Sequence, residues 1–310
     1  MSRARAFWLG ARPRTLGASV VPVVVGTVAG GVVSFGRAAL ALLVGLGLQV
    51  GVNYANDYFD GVRGVDTTER LGPPRLVASG MATPRRVAIA AGIAFAVATA
   101  AGLALAALTT WWLVAIGAAC LLGAVLYSGG PKPYAGLGLG ELAVFVFFGL
   151  VATVGSAYVQ VRAESELGES IFGEVAAASV PASAWWAGAA VGLLAVAILV
   201  ANNLRDLGTD AAAGKRTLAV RLGDPATRTL FAVTVIGAYV VAAVAVLDGA
   251  LPASTLLSFL SLPLAVWTLA RVRRAQGRDL VRVLLATAGL HALFGLLLAK
   301  GLLLPLFGIG

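Results

Sequence analysis

Nine apolar stretches, each near the ~20 residues a helix needs to cross a hydrocarbon layer, leave this chain little room for any other fold. They run near 15–35, 38–57, 85–108, 111–128, 137–159, 184–204, 226–247, 252–270 and 283–306 of the 310 residues. The chain is 59% hydrophobic and 12% charged, whereas soluble domains average ~45–50% and ~25%. The expected fold class is all-α: a polytopic membrane bundle of nine spans, with residues 1–310 forming one integral membrane domain.

The cationic residues orient that bundle. Residues 1–14 carry four arginines and no small-residue cleavage site, so they read as a retained cytoplasmic N-terminus rather than a signal peptide. With that start, 20 of the 23 Lys and Arg fall on the inner side and only Arg37, Arg162 and Lys300 on the outer, as the positive-inside rule requires. The outer loop around 160–182 carries Glu164, Glu166, Glu169 and Glu174, and Trp111, Trp112, Trp185 and Trp186 fall at the outer interface. A net charge of +9 would suggest nucleic acid in a soluble protein; here topology accounts for it, and no nucleic-acid partner is expected.

Two segments break the apolar pattern at matched places. Asn56-Asp57-Tyr58-Phe59-Asp60 ends the second span and Asn202-Asn203-Leu204-Arg205-Asp206 the sixth, followed by Asp66 and Asp210 respectively. A carboxylate at the bilayer centre costs roughly 2.5–3.5 kcal/mol, so four or five would cost on the order of 10 kcal/mol if uncompensated. Something cationic must sit between the clusters. Positions three and four apart share a helix face, which makes one stripe of Asn53, Asn56, Asp57 and Asp60 and another of Asn202, Asn203, Asp206 and Asp210. Gly61 and Gly64, and Gly208 and Gly214, predict that each helix ends soon after its cluster, with Asp66 on the loop. Spans two to four resemble spans six to eight, which implies parallel pseudo-repeat halves near 15–135 and 137–270, followed by a last helix at 283–306.

Mg²⁺ prefers oxygen ligands and typically takes one or two carboxylates plus substrate phosphates. Two facing carboxylate clusters therefore suit two or more Mg²⁺ ions holding a diphosphate. Arg63, Arg70, Arg75, Lys132, Arg205, Lys215 and Arg216 are the nearby cations for phosphate oxygens that the metals leave uncovered.

Other features point less clearly. Lys132 and Tyr134, in the turn Tyr127–Tyr134, suit either an interfacial turn or the site. Glu141 suits either the cavity or the interface. His291, the sole histidine, reads as a hydrogen-bonded interior residue, and Cys120, the sole cysteine, as a small buried hydrophobe. The Arg271–Arg282 cluster sets topology and meets anionic lipid head groups. Walker A, HExxH, GxSxG and CxxC patterns are absent. A cation or phosphate-ester transporter would also pair acidic clusters, but near the bilayer midplane rather than near one face.

At the two acidic segments the chain resembles the UbiA-type intramembrane prenyltransferases, whose NDxxDxxxD and DxxxD motifs lie at cytoplasmic helix ends in a nine-helix bundle. Asn56, Asp57 and Asp60 match the first motif, its last aspartate arriving two residues late as Asp66; Asp206 and Asp210 match the second unchanged. Within the superfamily the chain looks most like the 1,4-dihydroxy-2-naphthoate polyprenyltransferases of menaquinone synthesis. The delayed aspartate, Gly72-Pro73-Pro74-Arg75 before Ser79-Gly80, the Tyr127–Tyr134 loop, the Asn202–Gly223 block and Arg12-Pro13-Arg14-Thr15-Leu16 carry that likeness.

The resemblance implies catalytic Mg²⁺ held by Asp57, Asp60, Asp66, Asp206 and Asp210, with diphosphate contacts from Asn56, Arg63, Arg75, Lys132, Asn202 and Lys215. It further implies an acceptor site of Arg12, Arg14, Asn53 and Tyr134, with Arg12 or Arg14 orienting the acceptor's carboxylate. The partners would be a polyprenyl diphosphate, drawn sideways from membrane lipid, and 1,4-dihydroxy-2-naphthoate; CO₂ and diphosphate would leave, giving demethylmenaquinone. The alternative within the superfamily is a prenyltransferase acting on another acceptor, 4-hydroxybenzoate or a haem or chlorophyll precursor.

Overall fold

The computed structural model describes residues 2–31, 33–64, 75–164 and 179–308, and every regular element among them is helical. In chain order these are α1 (Arg3–Gly10), α2 (Gly17–Ala29), α3 (Phe35–Val62), α4 (Pro84–Leu108), α5 (Trp112–Ser128) and α6 (Gly140–Val144). A π-helical stretch, Phe145–Val151, joins α6 to α7 (Ala152–Glu164). Then come α8 (Ala182–Ala212), α9 (Leu218–Leu247), α10 (Leu262–Val272) and α11 (Arg278–Leu303).

Seven described helices are long and apolar enough to cross a membrane. The other two expected spans coincide with α2 and α5, apolar helices of 13 and 17 residues, about 20 and 25 Å long at 1.5 Å per residue. Both stop short for local reasons. Pro13 and the left-handed backbone of Arg12 (φ 57°) precede α2, and an extended Gly129 ends α5. Both motif helices end soon after their acidic residues, as expected: α3 stops at Val62, two residues past Asp60, and α8 at Ala212, two residues past Asp210. The latter helix runs unbroken through Gly208 to Ala212, because a glycine within a helix costs only ~1 kcal/mol. The two helix ends match in backbone as well: Gly64 and Gly214 have φ of 69° and 74°, the left-handed backbone that glycine adopts past a helix end.

α8 is the centre of the bundle. Its apolar residues from Ala184 to Leu204 are buried against α2, α9, α11 and the π stretch. Small residues permit that approach: a Cβ on Gly192 would lie 2.7 Å from the Gly149 Cα, and one on Gly188 2.8 Å from the Gly149 carbonyl oxygen. The π stretch adds a residue to the turn; its Gly149 packs on α8 while Phe147 and Phe148 line a cavity. At the opposite end from the acidic motifs, Arg37 is buried and donates to the carbonyls of Val159 (2.9 Å) and Leu108 (2.8 Å). Leu108 ends α4, so the guanidinium satisfies a carbonyl with no intrahelical partner.

Candidate active site

The C-terminal ends of α3 and α8 meet. The Lys215 Nζ donates to Asp60 Oδ2 at 2.9 Å and lies 4.0 Å from Asp210 Oδ1, so one ammonium ties the two acidic motifs together. This is the cation that the uncompensated carboxylates demanded. The turn that delivers it is local: Gly214 takes the left-handed conformation and the Lys215 N–H returns to the Asp210 carbonyl at 2.9 Å.

The remaining motif residues divide by what they touch. Asp57 and Asp206, expected as metal ligands, do not line the cavity. Asp57 is 2% exposed and accepts from the backbone N–H groups of Leu76 (2.8 Å) and Val77 (3.0 Å). Asp206, 1% exposed, takes a two-pronged contact from the adjacent Arg205 at 2.7 and 2.6 Å, while the Arg205 Nη2 also donates to Asn202 Oδ1 at 2.9 Å. Asn53, expected in the acceptor site, lines the cavity but spends its Nδ2 on the Ala11 carbonyl at 2.9 Å. Arg63, expected on diphosphate, holds the carbonyls of Ser128 (2.8 Å) and Gly130 (2.5 Å). Arg14, expected in the acceptor site, is exposed and does not line the cavity. Asp66 and Arg70 lie outside the described residues.

The Asp57 clamp carries a direct consequence. Hydrogen bonds to a charged group contribute about 1.5–3 kcal/mol each, and Asp57 makes two that tether residues 75–77 to α3. Asp57→Ala is expected to speed tryptic cleavage after Arg75 by more than ~10-fold, read by mass spectrometry of the fragments. An unchanged rate there would contradict the clamp.

A cavity of about 670 Å³ opens beside the bridge. Its polar end holds Arg12, Asn56, Asp60, Arg75, Lys132, Tyr134, Asn202, Asn203, Asp210, Lys215 and Arg216. Its walls continue as Val44, Leu48, Leu105, Leu113, Ile116, Phe147, Phe148, Val151 and Val159, an apolar sleeve between α3, α4, α5 and α7. The Asn56 Oδ1 accepts from the buried Ser128 hydroxyl, which leaves its Nδ2 for a ligand. The Tyr134 hydroxyl donates to the Gly123 carbonyl at 2.7 Å, and burial pushes the phenol up to about 12. Arg12 is the single described non-glycine residue at positive φ, a backbone cost that persists only where surrounding contacts enforce it. Gln49 supplies one, donating to the Thr15 carbonyl at 2.9 Å while accepting from the Ser19 hydroxyl.

Sequence spacing did not single out Ser19, Gln49 or Ser128 for the cavity. A glutamine and serines inside apolar runs were the available signal. Glu141 is buried and accepts from Asn203 Nδ2 at 2.9 Å, so it stands behind the cavity wall rather than at an interface.

Among the described residues, no three carboxylate, histidine or cysteine side chains converge. Asp60 and Asp210 still present carboxylates to one cavity from two helices, with Lys215 between them. Mg²⁺ binding diphosphate commonly uses only one or two carboxylates and completes its shell with water and phosphate oxygens. The donor set fits that ion.

Comparison with known proteins agrees with this geometry. Residues 19–294 match the UbiA prenyltransferase family. The chain is 46% identical over 301 residues to the 1,4-dihydroxy-2-naphthoate octaprenyltransferase of Mycobacterium tuberculosis, covering 95% of each. Its fold superposes on that of a UbiA homolog from Aeropyrum pernix with a TM-score of 0.69 at 18% identity, covering 91% of this chain and 96% of that one. A UbiA homolog from Archaeoglobus fulgidus bound to DMAPP and Mg2+ gives 0.61 at 16% identity, over 94% and 98%. With a family match across most of its length and a close relative over nearly all of it, the chain belongs to the UbiA prenyltransferase family.

Proposed function

We propose that this protein transfers a polyprenyl group from a polyprenyl diphosphate to 1,4-dihydroxy-2-naphthoate, releasing diphosphate and CO₂ and giving demethylmenaquinone in its quinol form. The observation that carries this reading is the Asp60–Lys215–Asp210 bridge at the polar end of a cavity whose walls are otherwise apolar. The name borne by the 46% identical relative supports the choice of acceptor.

Asp60 and Asp210 would hold Mg²⁺, which when bound neutralises diphosphate charge and favours its departure. Lys215, Arg75, Lys132 and Arg216 supply the remaining positive charge, and Asn56 Nδ2 an oriented donor, where negative charge grows on the leaving group. The allylic C–O bond breaks with its electron pair going to diphosphate. A ring carbon of the acceptor forms the new C–C bond, and loss of the carboxylate as CO₂ returns an electron pair to the ring. Val144, Phe147, Phe148 and Val151 keep water from the allylic cation, and aromatic rings favour such a cation. Arg12, which lines the cavity, would pair with the acceptor's carboxylate.

In the membrane we place nine spans, with α2 and α5 as the two short ones, the N-terminus in the cytoplasm and the site on the cytoplasmic side. The distribution of Lys and Arg supports this orientation. Two parallel halves are supported by the two acidic motifs, each near the C-terminal end of a long helix that a left-handed glycine, Gly64 or Gly214, follows.

The test is turnover by purified protein in lipid nanodiscs with a polyprenyl diphosphate, Mg²⁺ and three acceptors in parallel. Product is expected from the naphthoate, with one CO₂ per prenyl group transferred and no turnover once EDTA removes the metal. Product from 4-hydroxybenzoate instead would reassign the acceptor, and no product from any would overturn the reading.

A further inference from the structure

Two asparagines line the same cavity with their amides facing opposite ways. Asn56 accepts through Oδ1 from Ser128, so its Nδ2 is the group a ligand meets. Asn203 gives its Nδ2 to Glu141 Oε1 at 2.9 Å. A carboxylate can only accept, so this contact decides the orientation of the Asn203 amide, and its carbonyl oxygen is the group left for the cavity.

Glu141 itself is costly where it stands. It is 7% exposed, and its Oε2 has no hydrogen-bond partner; leaving a buried charged acceptor unmade costs more than the ~1–3 kcal/mol of a neutral group. Two local features keep a carboxylate there. It sits in the first turn of α6, at the positive end of a helix, and Gly140 beside it lets Tyr127 and Leu199 pack closely over the helix start. The prenyl donor offers only phosphate oxygens and hydrocarbon, neither of which can donate a hydrogen bond to a carbonyl oxygen. A phenolic hydroxyl can.

We propose that Asn203 reads a hydroxyl group of the aromatic acceptor through its carbonyl oxygen, and that Glu141 is the positioning residue that fixes this amide face. The proposal rests on the prenyl-transfer reading above and adds the chemical group by which the acceptor is recognised. A site built to accept from a substrate hydroxyl discriminates against the analogue lacking it, because the buried carbonyl is then left unpaired.

The experiment measures KM for acceptor, KM for donor and kcat separately in nanodisc-embedded protein, for 1,4-dihydroxy-2-naphthoate and both of its monohydroxy analogues. Asn203→Ala is expected to raise KM for the dihydroxy acceptor up to ~10-fold, the effect of losing one neutral hydrogen bond, with donor KM unchanged, and to erase the preference over one of the two analogues. Glu141→Ala should reproduce that split. Glu141→Gln, whose amide oxygen still accepts from Asn203 Nδ2, should recover most of the acceptor affinity, and thermal melts of all three variants separate a folding defect from a recognition defect. An equal loss on all three acceptors, a rise in donor KM, or no rescue by glutamine would overturn the proposal. If wild-type protein prefers another hydroxylated aromatic acid, the acceptor assignment fails while the same KM split on that acid sustains Asn203 as the hydroxyl reader. If no hydroxylated acceptor is used at all, both fall.

Discussion

Asp60→Asn is expected to lower kcat/KM for the prenyl donor by at least ~10²–10³-fold, the loss typical when one preorganised electrostatic group is removed from a reacting centre. Asp60 lies in the cavity, faces Asp210 and holds the Lys215 ammonium at 2.9 Å. Asparagine keeps its shape and removes its charge, so the loss reports on electrostatics rather than packing. Asp210→Asn should cost a similar factor, and the double variant little more, because groups acting as one unit are not additive. The Mg²⁺ concentration for half-maximal rate should rise in each single variant. Turnover within ~3-fold of wild type, at unchanged Mg²⁺ dependence, would remove Asp60 from the machinery.

The second large effect is structural. A Cβ at Gly26 would lie 2.0 Å from the Thr153 carbonyl oxygen and 2.9 Å from the Ser156 Cβ, so Gly26→Ala must force α2 away from α7. Backbone cannot yield as a side chain does, and the cost should meet or exceed the ~1–3 kcal/mol of ordinary overpacking. Both helices line the cavity, α2 through Ala18 and Val23, α7 through Ala152, Gly155 and Val159. Gly26→Ala is therefore expected to lower the midpoint of thermal unfolding in detergent and the rate together. Gly92→Ala is the control: nothing lies within 4 Å of its Cβ position in α4, and alanine improves helix propensity by up to ~1 kcal/mol. Equal melting of the two variants would show that the α2–α7 contact tolerates more than its geometry allows.

The site was legible wherever its determinants were local. Asp60 and Asp210 stand out because each interrupts an apolar run, and the requirement for a cation between them follows from electrostatic cost alone. The partner arrived as Lys215, five residues past one of the acids it serves. The contacts that Asp57 and Asp206 make were not legible. Both sit in the repeated motif, and nothing in spacing separates a carboxylate that faces the cavity from one that caps the N–H groups of Leu76 and Val77. Arg205 and Asp206 are neighbours in sequence, and neighbours on a helix do not ordinarily face each other; here the buried arginine folds back onto the equally buried carboxylate. Asn53 and Arg63 matched the expected site by face and by charge, yet one ties down Ala11 and the other the carbonyls of Ser128 and Gly130.

From its amino acids alone this protein is bound to be a helical membrane bundle with two acidic helix ends and a cation between them, since apolar run length, charge distribution and the cost of a buried carboxylate are properties of short segments. Tertiary structure decided the rest: which aspartates meet across the cavity, which serve as backbone clamps, and which way Asn203 faces. Those outcomes depend on contacts between residues 19 to 155 positions apart, and such contacts are set by how whole helices pack, around the glycines of α2, α8 and the π stretch, not by any single stretch of chain.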